Sequence, residues 1–396
     1  MSRIKQIQNT TGLTLAAAMV GAIVGTLGAG AVAAQEDYSN YLFVPNRASA
    51  EVTVVDRTTN QIVARIDVGN VPHQVLVSQV AGKLVVSNTA DNTISIVDLK
   101  SFRTEATVSL GAEPEHMALG PDGLTVAVGN IAAGTVSLVS LKDNREVARV
   151  VGLIQPHNLT FSLDGKRLYV ANLGAEHVSV VDVASAKVID EILVAEPTAL
   201  ASRGGLAGRE YQGIINVTPT PDGRLGFAVH GEGNVLAVID LESGEKLKSI
   251  ALGELPWRAY GTAKGRYMLI PNNGDRTVSV VDTGRLEVVA TLPGAADMTG
   301  VNGDLDETAA FVISRGESRI VILDLETMTP AGSIALPGTP ETAVASPDGK
   351  SLYVALSSTN QVAVIDLPSR RLSAVIDHVG NEPWGATLVG GDNYCH

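Results

Sequence analysis

One strand ending recurs eight times along this chain, at Asp56, Asp98, Ser140, Asp182, Asp240, Asp282, Asp324 and Asp366, with successive spacings of 42, 42, 42, 58, 42, 42 and 42 residues. A period of about 40 to 45 residues, carried by short apolar strands and turn residues, is the signature of a β-propeller with four-stranded blades.

Other landmarks keep the same phase. Asn46, Asn88, Asn130, Asn172 and Asn272 share one repeat position, and Pro72, Pro114, Pro156, Pro256 and Pro340 another. Gly123, Gly165, Gly223, Gly265, Gly349 and Gly391 mark a third, several of them closing Asp-Gly turns where a left-handed backbone is needed. One unit therefore reads as inner strand, Asp-Gly turn, second strand ending near the Asn, third strand ending at the Asp, and an outer strand. The strand-end Asp, being repetitive, is expected to bond turn backbone. Residues 41–69 supply the last three strands of a unit, and 384–389 supply a lone inner strand. The expected fold is thus all-β: an eight-bladed propeller of four-stranded blades, closed by a composite blade built from both chain ends, which removes exposed sheet edges.

The segments LYVANLGAEHVSVVDVASAKVIDEI and LYVALSSTNQVAVIDLPSRRLSAVI resemble the repeat of YVTN-type β-propeller proteins, over nearly all of the chain after residue 40. Eight blades are also similar, at the level of fold, to the propeller of haem-containing nitrite reductases and their cofactor-assembly relatives. That resemblance implies a fold rather than an activity. There is no Cys-x-x-Cys-His motif, so covalent haem attachment is excluded, while a tetrapyrrole bound without covalent attachment stays open, with one mouth histidine as axial ligand.

Residues 1–34 read as a secretory signal: Arg3 and Lys5, an apolar stretch from Leu13 to Val32, and small residues at Ala31 and Ala33. An uncleaved anchor is the alternative, the stretch approaching the roughly 20 residues of a membrane span. Cleavage leaves residues 35–396 as one propeller domain, periplasmic or secreted and without stable membrane insertion. It also removes two positive charges, taking the formal net charge from −13 to −15. So acidic a protein is not built for nucleic acid or an anionic membrane; a small molecule or a periplasmic protein is the expected partner. One cysteine, Cys395, allows no intramolecular disulfide, and strand pairing with interblade packing must hold the ring.

Function is sought where the repeat breaks. Just after the repeat proline stand His73, Glu115, His157, Trp257 and Glu341, and one position further in stand Gln74, His116, Asn158, Asn216, Arg258 and Trp384. Three histidines thus open consecutive blades at the mouth of the central channel, and His230 takes a position held elsewhere by Asn. Converging imidazoles are what a borderline-soft metal needs, so His73, His116, His157 and His230 are the candidate ligands, with copper favoured over zinc or iron. The 58-residue spacing places an insertion at 197–213 on the same face. Its Arg203, Arg209 and Tyr211, with Trp257 and Arg258, form a candidate site for an anionic or planar cofactor. Tyr394-Cys395-His396 is expected on the opposite face, too far away to join the histidines.

No nucleophile elbow, His-Glu-x-x-His helix, phosphate loop or EF-hand spacing appears. Two readings follow: a binding module holding a metal ion, cofactor, small ligand or partner protein at its histidine mouth, and a metal-dependent oxidoreductase using the same residues.

Overall fold

The computed structural model describes residues 37–196 and 212–390. Residues 1–36, most of the insertion including Arg203, Arg209 and Tyr211, and residues 391–396 with Cys395 and His396 lie outside the described residues. Among the described residues there are eight four-stranded antiparallel sheets, and the one helical element is a single 3-10 turn at Thr89–Asp91.

We number the blades in chain order. Blade 1 is the composite, with Tyr41–Asn46, Glu51–Asp56 and Gln61–Asp67 from the N-terminal side and Thr387–Leu388 as its inner strand, paired through Leu42 with Leu388 and Phe43 with Thr387. Blades 2 to 8 begin with the inner strands Pro72–Ser78, Pro114–Leu119, Pro156–Phe161, Ile214–Pro219, Tyr260–Gly261, Met298–Gly303 and Pro340–Ala345. The expected closure by both chain ends is what the structure has.

Second and third strands, such as Lys83–Asn88 and Thr93–Asp98, are buried almost continuously, whereas outer strands such as Arg145–Val150 alternate. Neighbouring blades cover both faces of the inner sheet, so a run like TISIVD need not alternate. The core is accordingly divided into eight apolar clusters, one between each pair of adjacent blades, as with Phe311, Ile313, Leu352 and Val354 between blades 7 and 8. Each fully buried Val, Leu or Ile contributes about 1.5 to 3 kcal/mol relative to exposure.

Inner strands pair on one side only, and side chains of the preceding blade serve the bare edge. Ser87 Oγ donates to the Glu115 carbonyl at 2.7 Å, Thr160 Oγ1 to Val217 at 2.6 Å, Thr218 Oγ1 to Ala259 at 2.6 Å, and Tyr260 OH to Thr299 at 2.8 Å. Thr299, Thr342 and Thr387 continue the belt to Glu341, Trp384 and Val75.

The repeat residues have the expected structural work. Asp98 Oδ1 accepts the Ser101 hydroxyl at 2.7 Å and the Ser101 N–H at 2.8 Å, and in the turns of Asp56, Asp98, Asp182 and Asp366 the hydroxyl first and the backbone N–H second lower the carboxyl pKa. Each repeat Asn ties its strand end to the next: Asn130 Nδ2 donates to Thr135 Oγ1 and Ser137 Oγ, both at 3.0 Å. In blade 7 Glu307 stands in the turn with φ +62°, where neighbouring turns have glycine. Its Oε1 accepts from Thr262 Oγ1 at 2.5 Å and from the Lys264 and Arg266 amides at 2.8 and 3.1 Å, stapling blade 7 to blade 6.

Candidate functional site

The mouth is shaped by a β-bulge that recurs where inner strands begin. Pro72 pairs with Asn88 and Val75 with Val86, so His73 and Gln74 together oppose Ser87 alone; the same shift follows Pro114 and Pro156. In a regular strand adjacent side chains point to opposite faces, but a bulge re-aims one of them. This is how His116, one position later in the repeat than His73 and His157, joins the same cluster.

All three imidazoles are buried. The rings of His73 and His116 have centroids 5.2 Å apart and those of His116 and His157 only 3.9 Å. His73, Glu115 and His116 each offer one ligand atom, all within 4.8 Å of one another, and His157 joins through His116, with Nε2 to Nε2 at 3.0 Å. Glu115 lies 4.0 Å from His73 Nδ1 and 4.0 Å from His116 Nε2. Blades 3 and 4 come this close because Gly129 stands where blade 2 has Ser87: a Cβ there would lie 2.9 Å from the Pro156 carbonyl and 3.0 Å from that of His157.

His157 is held in one tautomer. Its Nδ1 lies 2.9 Å from the Ile215 carbonyl, an acceptor only, so Nδ1 carries the proton and Nε2 a lone pair. Burial, helped by the Arg258 charge and opposed by the Ile215 bond, lowers its pKa to about 4, leaving a neutral imidazole at ordinary pH. A backbone carbonyl that fixes the far nitrogen is the usual support for a metal-ligating histidine.

His230 is placed differently. It is fully buried, and its Nδ1 accepts the Gly233 N–H at 2.8 Å, so the lone pair it would offer a metal is engaged within its own loop. Burial lowers its pKa, against Glu176 and Glu232. The two positions that bond Asn elsewhere are Val235 and Ala237 in blade 5, so three residues changed together.

Trp257 and Arg258, neighbours in sequence, serve different cavities. Trp257 lines one of about 340 Å³ with Gln212, Asn273, Asp297 and Arg315, whereas Arg258, buried, lines a central channel of about 650 Å³. Of the insertion only Gln212 and Gly213 are described. Trp384, expected one position further in, stands instead beside His73 in register, because Pro383 bridges Asn46 and Thr387 pairs with Phe43; one extra residue precedes it. Its ring lies 6.0 Å from His73 and carries Arg47 at 4.0 Å. Across the rim Arg315 pairs with Asp297 at 2.7 and 3.1 Å and with buried Glu341 at 3.3 Å, and Ser357 Oγ donates to Glu341 at 2.5 Å. Sequence reasoning placed Glu115 beside His73 and His157 at one repeat position but did not include it among the metal ligands; nor did it see Arg315, at a repeat position that carries a second arginine, Arg47, in blade 1.

A model of the YNCE-like beta-propeller family matches residues 76–196 and 226–391. A seven-bladed beta-propeller protein of Mycobacterium tuberculosis is 31% identical over 118 residues, 28% of this chain and 30% of that one, so the match spans under a third of the relative's length. Among solved structures, dihydro-heme d1 dehydrogenase NirN in complex with DHE superposes with a TM-score of 0.70 at 18% identity, over 89% of this chain and 76% of that one. Kuenenia stuttgartiensis hydrazine synthase gives 0.55 at 22%, over 74% and 95%. At these identities the likeness is one of fold. No helix among the described residues is long and apolar enough to cross a membrane.

Proposed function

As this chain belongs to the YNCE-like β-propeller family, we propose that it is a binding protein that holds a transition-metal ion, or a small cofactor containing one, at its histidine mouth. The observation that carries this is His157: buried, neutral, with Nδ1–H fixed on Ile215 and its Nε2 lone pair 3.0 Å from His116 Nε2. Two imidazole donors on one ion, each at about 2.0 to 2.1 Å, stand about 3 Å apart in a square or octahedral arrangement and slightly further in a tetrahedral one. His73 and Glu115 are the further donors. Imidazole nitrogen with one carboxylate suits copper, zinc or iron, and copper gains most from three nitrogens by the general affinity order.

A tetrapyrrole would fit the same chemistry, since the neutral imidazole of His157 could hold its metal. A fold relative is solved with DHE bound. Bound metal would supply Lewis acidity or redox capacity. Binding without turnover is favoured because the buried carboxylate across the rim, Glu341, is engaged by Arg315 and Ser357 rather than poised for proton transfer. Residues 1–34 support placing the mature protein in the periplasm. The test is metal content and visible absorption of protein purified without chelators or a metal-binding tag. Stoichiometric metal or a tetrapyrrole band that disappears in His157→Ala supports the reading; a colourless protein that cannot be loaded with copper, zinc or iron overturns it.

A further inference from the structure

Beneath the histidines, the central channel is a cavity of about 650 Å³ walled by inner strands of six blades. This is the size of a small-molecule site. Its walls are mostly apolar, with Val75, Val77, Met117, Leu119, Phe161 and Leu388. At the end nearest the histidines stand the polar side chains that occupy one repeat position: Gln74, Asn158, Asn216 and Arg258. The far end reaches the Asp-Gly turns, where Leu163 is 68% exposed.

The charge pattern sets the channel apart. The protein as a whole carries a formal net charge of −13, yet among the described residues lining the channel there is no Asp or Glu, and the one charged side chain is Arg258. Its neighbour in the adjacent blade is Asn216, 1% exposed. Asn216 Nδ2 faces the Ala259 carbonyl at 3.4 Å and also Thr218 Oγ1, which fixes the orientation of the amide and leaves Oδ1 as a buried acceptor without a partner. A buried acceptor left unmade costs about 1 to 3 kcal/mol, so a ligand that donates to it gains that much over one that does not.

We infer that the channel binds a small organic anion: a monocarboxylate with an apolar body and a hydroxyl beside the carboxylate, of the medium-chain 2-hydroxy acid class. The carboxylate meets Arg258, the hydroxyl donates to Asn216 Oδ1, and the tail lies along the apolar walls toward the turn face. A cation is refused by Arg258, and a neutral alcohol lacks the charge-assisted bond, which is roughly twice as strong as a neutral one.

The probe is 2-hydroxyoctanoate, titrated calorimetrically into the mature protein beside octanoate, octan-1-ol and octylamine. Saturable 1:1 binding of 2-hydroxyoctanoate is expected, with octanoate about 5- to 10-fold weaker, octan-1-ol weaker still and octylamine unbound. Arg258→Gln should weaken 2-hydroxyoctanoate at least tenfold, and Arg258→Lys should retain part of it. Asn216→Leu should erase the difference between the two acids. Leu119→Trp, which fills the channel away from the histidines, should abolish binding while metal content stays at the wild-type level. Because 2-hydroxy acids chelate metals, the titration is repeated on chelator-stripped protein, where binding should persist unchanged. The inference is overturned if octan-1-ol binds as tightly as the acids, if folded Arg258→Gln binds like the wild type, or if binding vanishes with the metal. Failure to find any metal leaves the expected result intact.

Discussion

Two groups of titratable side chains stand on opposite sides of the same rim, and they share the repeat position just after the inner-strand proline through Glu341 in one group and His73, Glu115 and His157 in the other. On one side Arg315, Asp297 and Glu341 close on each other through bonds of 2.7 to 3.3 Å, and Ser357 completes the circuit. On the other, His73, His116 and His157 are buried with Glu115 held at 4.0 Å, and the imidazoles of His116 and His157 approach to 3.0 Å. The first set satisfies itself and acts as a staple between blades 7 and 8. In the second, His157 is a neutral imidazole at ordinary pH with its Nε2 turned toward His116, which is the condition for holding a metal. Equivalent positions in a repeat therefore do not imply equivalent use.

The difference should show most strongly in the response to acid. His157 has its folded pKa lowered to about 4 from an ordinary value of 6.5. As pH falls through 6.5 the unfolded chain takes up a proton that the folded one refuses, so stability contributed by the neutral ring is present above 6.5, is lost progressively down to about 4, and does not fall further below. For metal-free protein this amounts to a loss on the order of 3 kcal/mol. Urea melts from pH 7 to 4 check it: the loss should be much smaller in His157→Gln, and an equal loss there removes His157 as its source.

Arg315→Met should destabilise by about 1 to 2 kcal/mol, less than for a fully buried pair because Arg315 is partly exposed and Glu341 keeps its bond from Ser357, as it removes the cation that faces the Glu341 carboxylate. Metal content should be unchanged. A loss of metal in this variant would merge the two groups that the comparison separates.

Gly129→Val introduces side-chain atoms where a Cβ already meets two backbone oxygens at 2.9 and 3.0 Å, forcing blades 3 and 4 apart. The cost is about 1 to 3 kcal/mol, and metal affinity should fall although every candidate ligand is kept. Competition against a chromogenic chelator reads this out. Unchanged affinity would mean that the 3.0 Å approach of His116 and His157 is irrelevant to binding.

The smallest expected effect comes from restoring the repeat in blade 5. His230→Asn with Val235→Thr and Ala237→Ser rebuilds the bonds that Asn130 makes to Thr135 and Ser137. Stability should change by no more than about 1 kcal/mol, with metal content as in the wild type. Loss of metal would return His230 to the ligand set.

The fold was legible because the constraint is periodic: strand ends, turn glycines and the Asn and Pro positions repeat, and the broken unit at 41–69 demands the strand at 384–389 to complete it. The convergence of His73, His116 and His157 was legible as a set of neighbours on consecutive blades. That His116 occupies a different repeat position was no obstacle only because of the bulge, which no residue type announces. His230 was read as an addition to the set, whereas the accompanying Val235 and Ala237 mark a coordinated rebuilding of one loop. Trp384 was misplaced by one position because the 42-residue count was followed, although Pro383, immediately before it, is the repeat proline and marks the true register. Asn216 was noted only as a repeat member, since the isolation of its Oδ1 depends on which groups its Nδ2 meets.

The central claim is that the histidine side of the mouth holds a metal. The most direct measurement is quantitative metal analysis of wild type, His157→Ala and Arg315→Met purified side by side without chelators, with reloading by copper, zinc and iron. The account predicts close to one equivalent in wild type and Arg315→Met, and a loss of at least tenfold in affinity in folded His157→Ala. Equal metal in all three, or none in any after reloading, would contradict it.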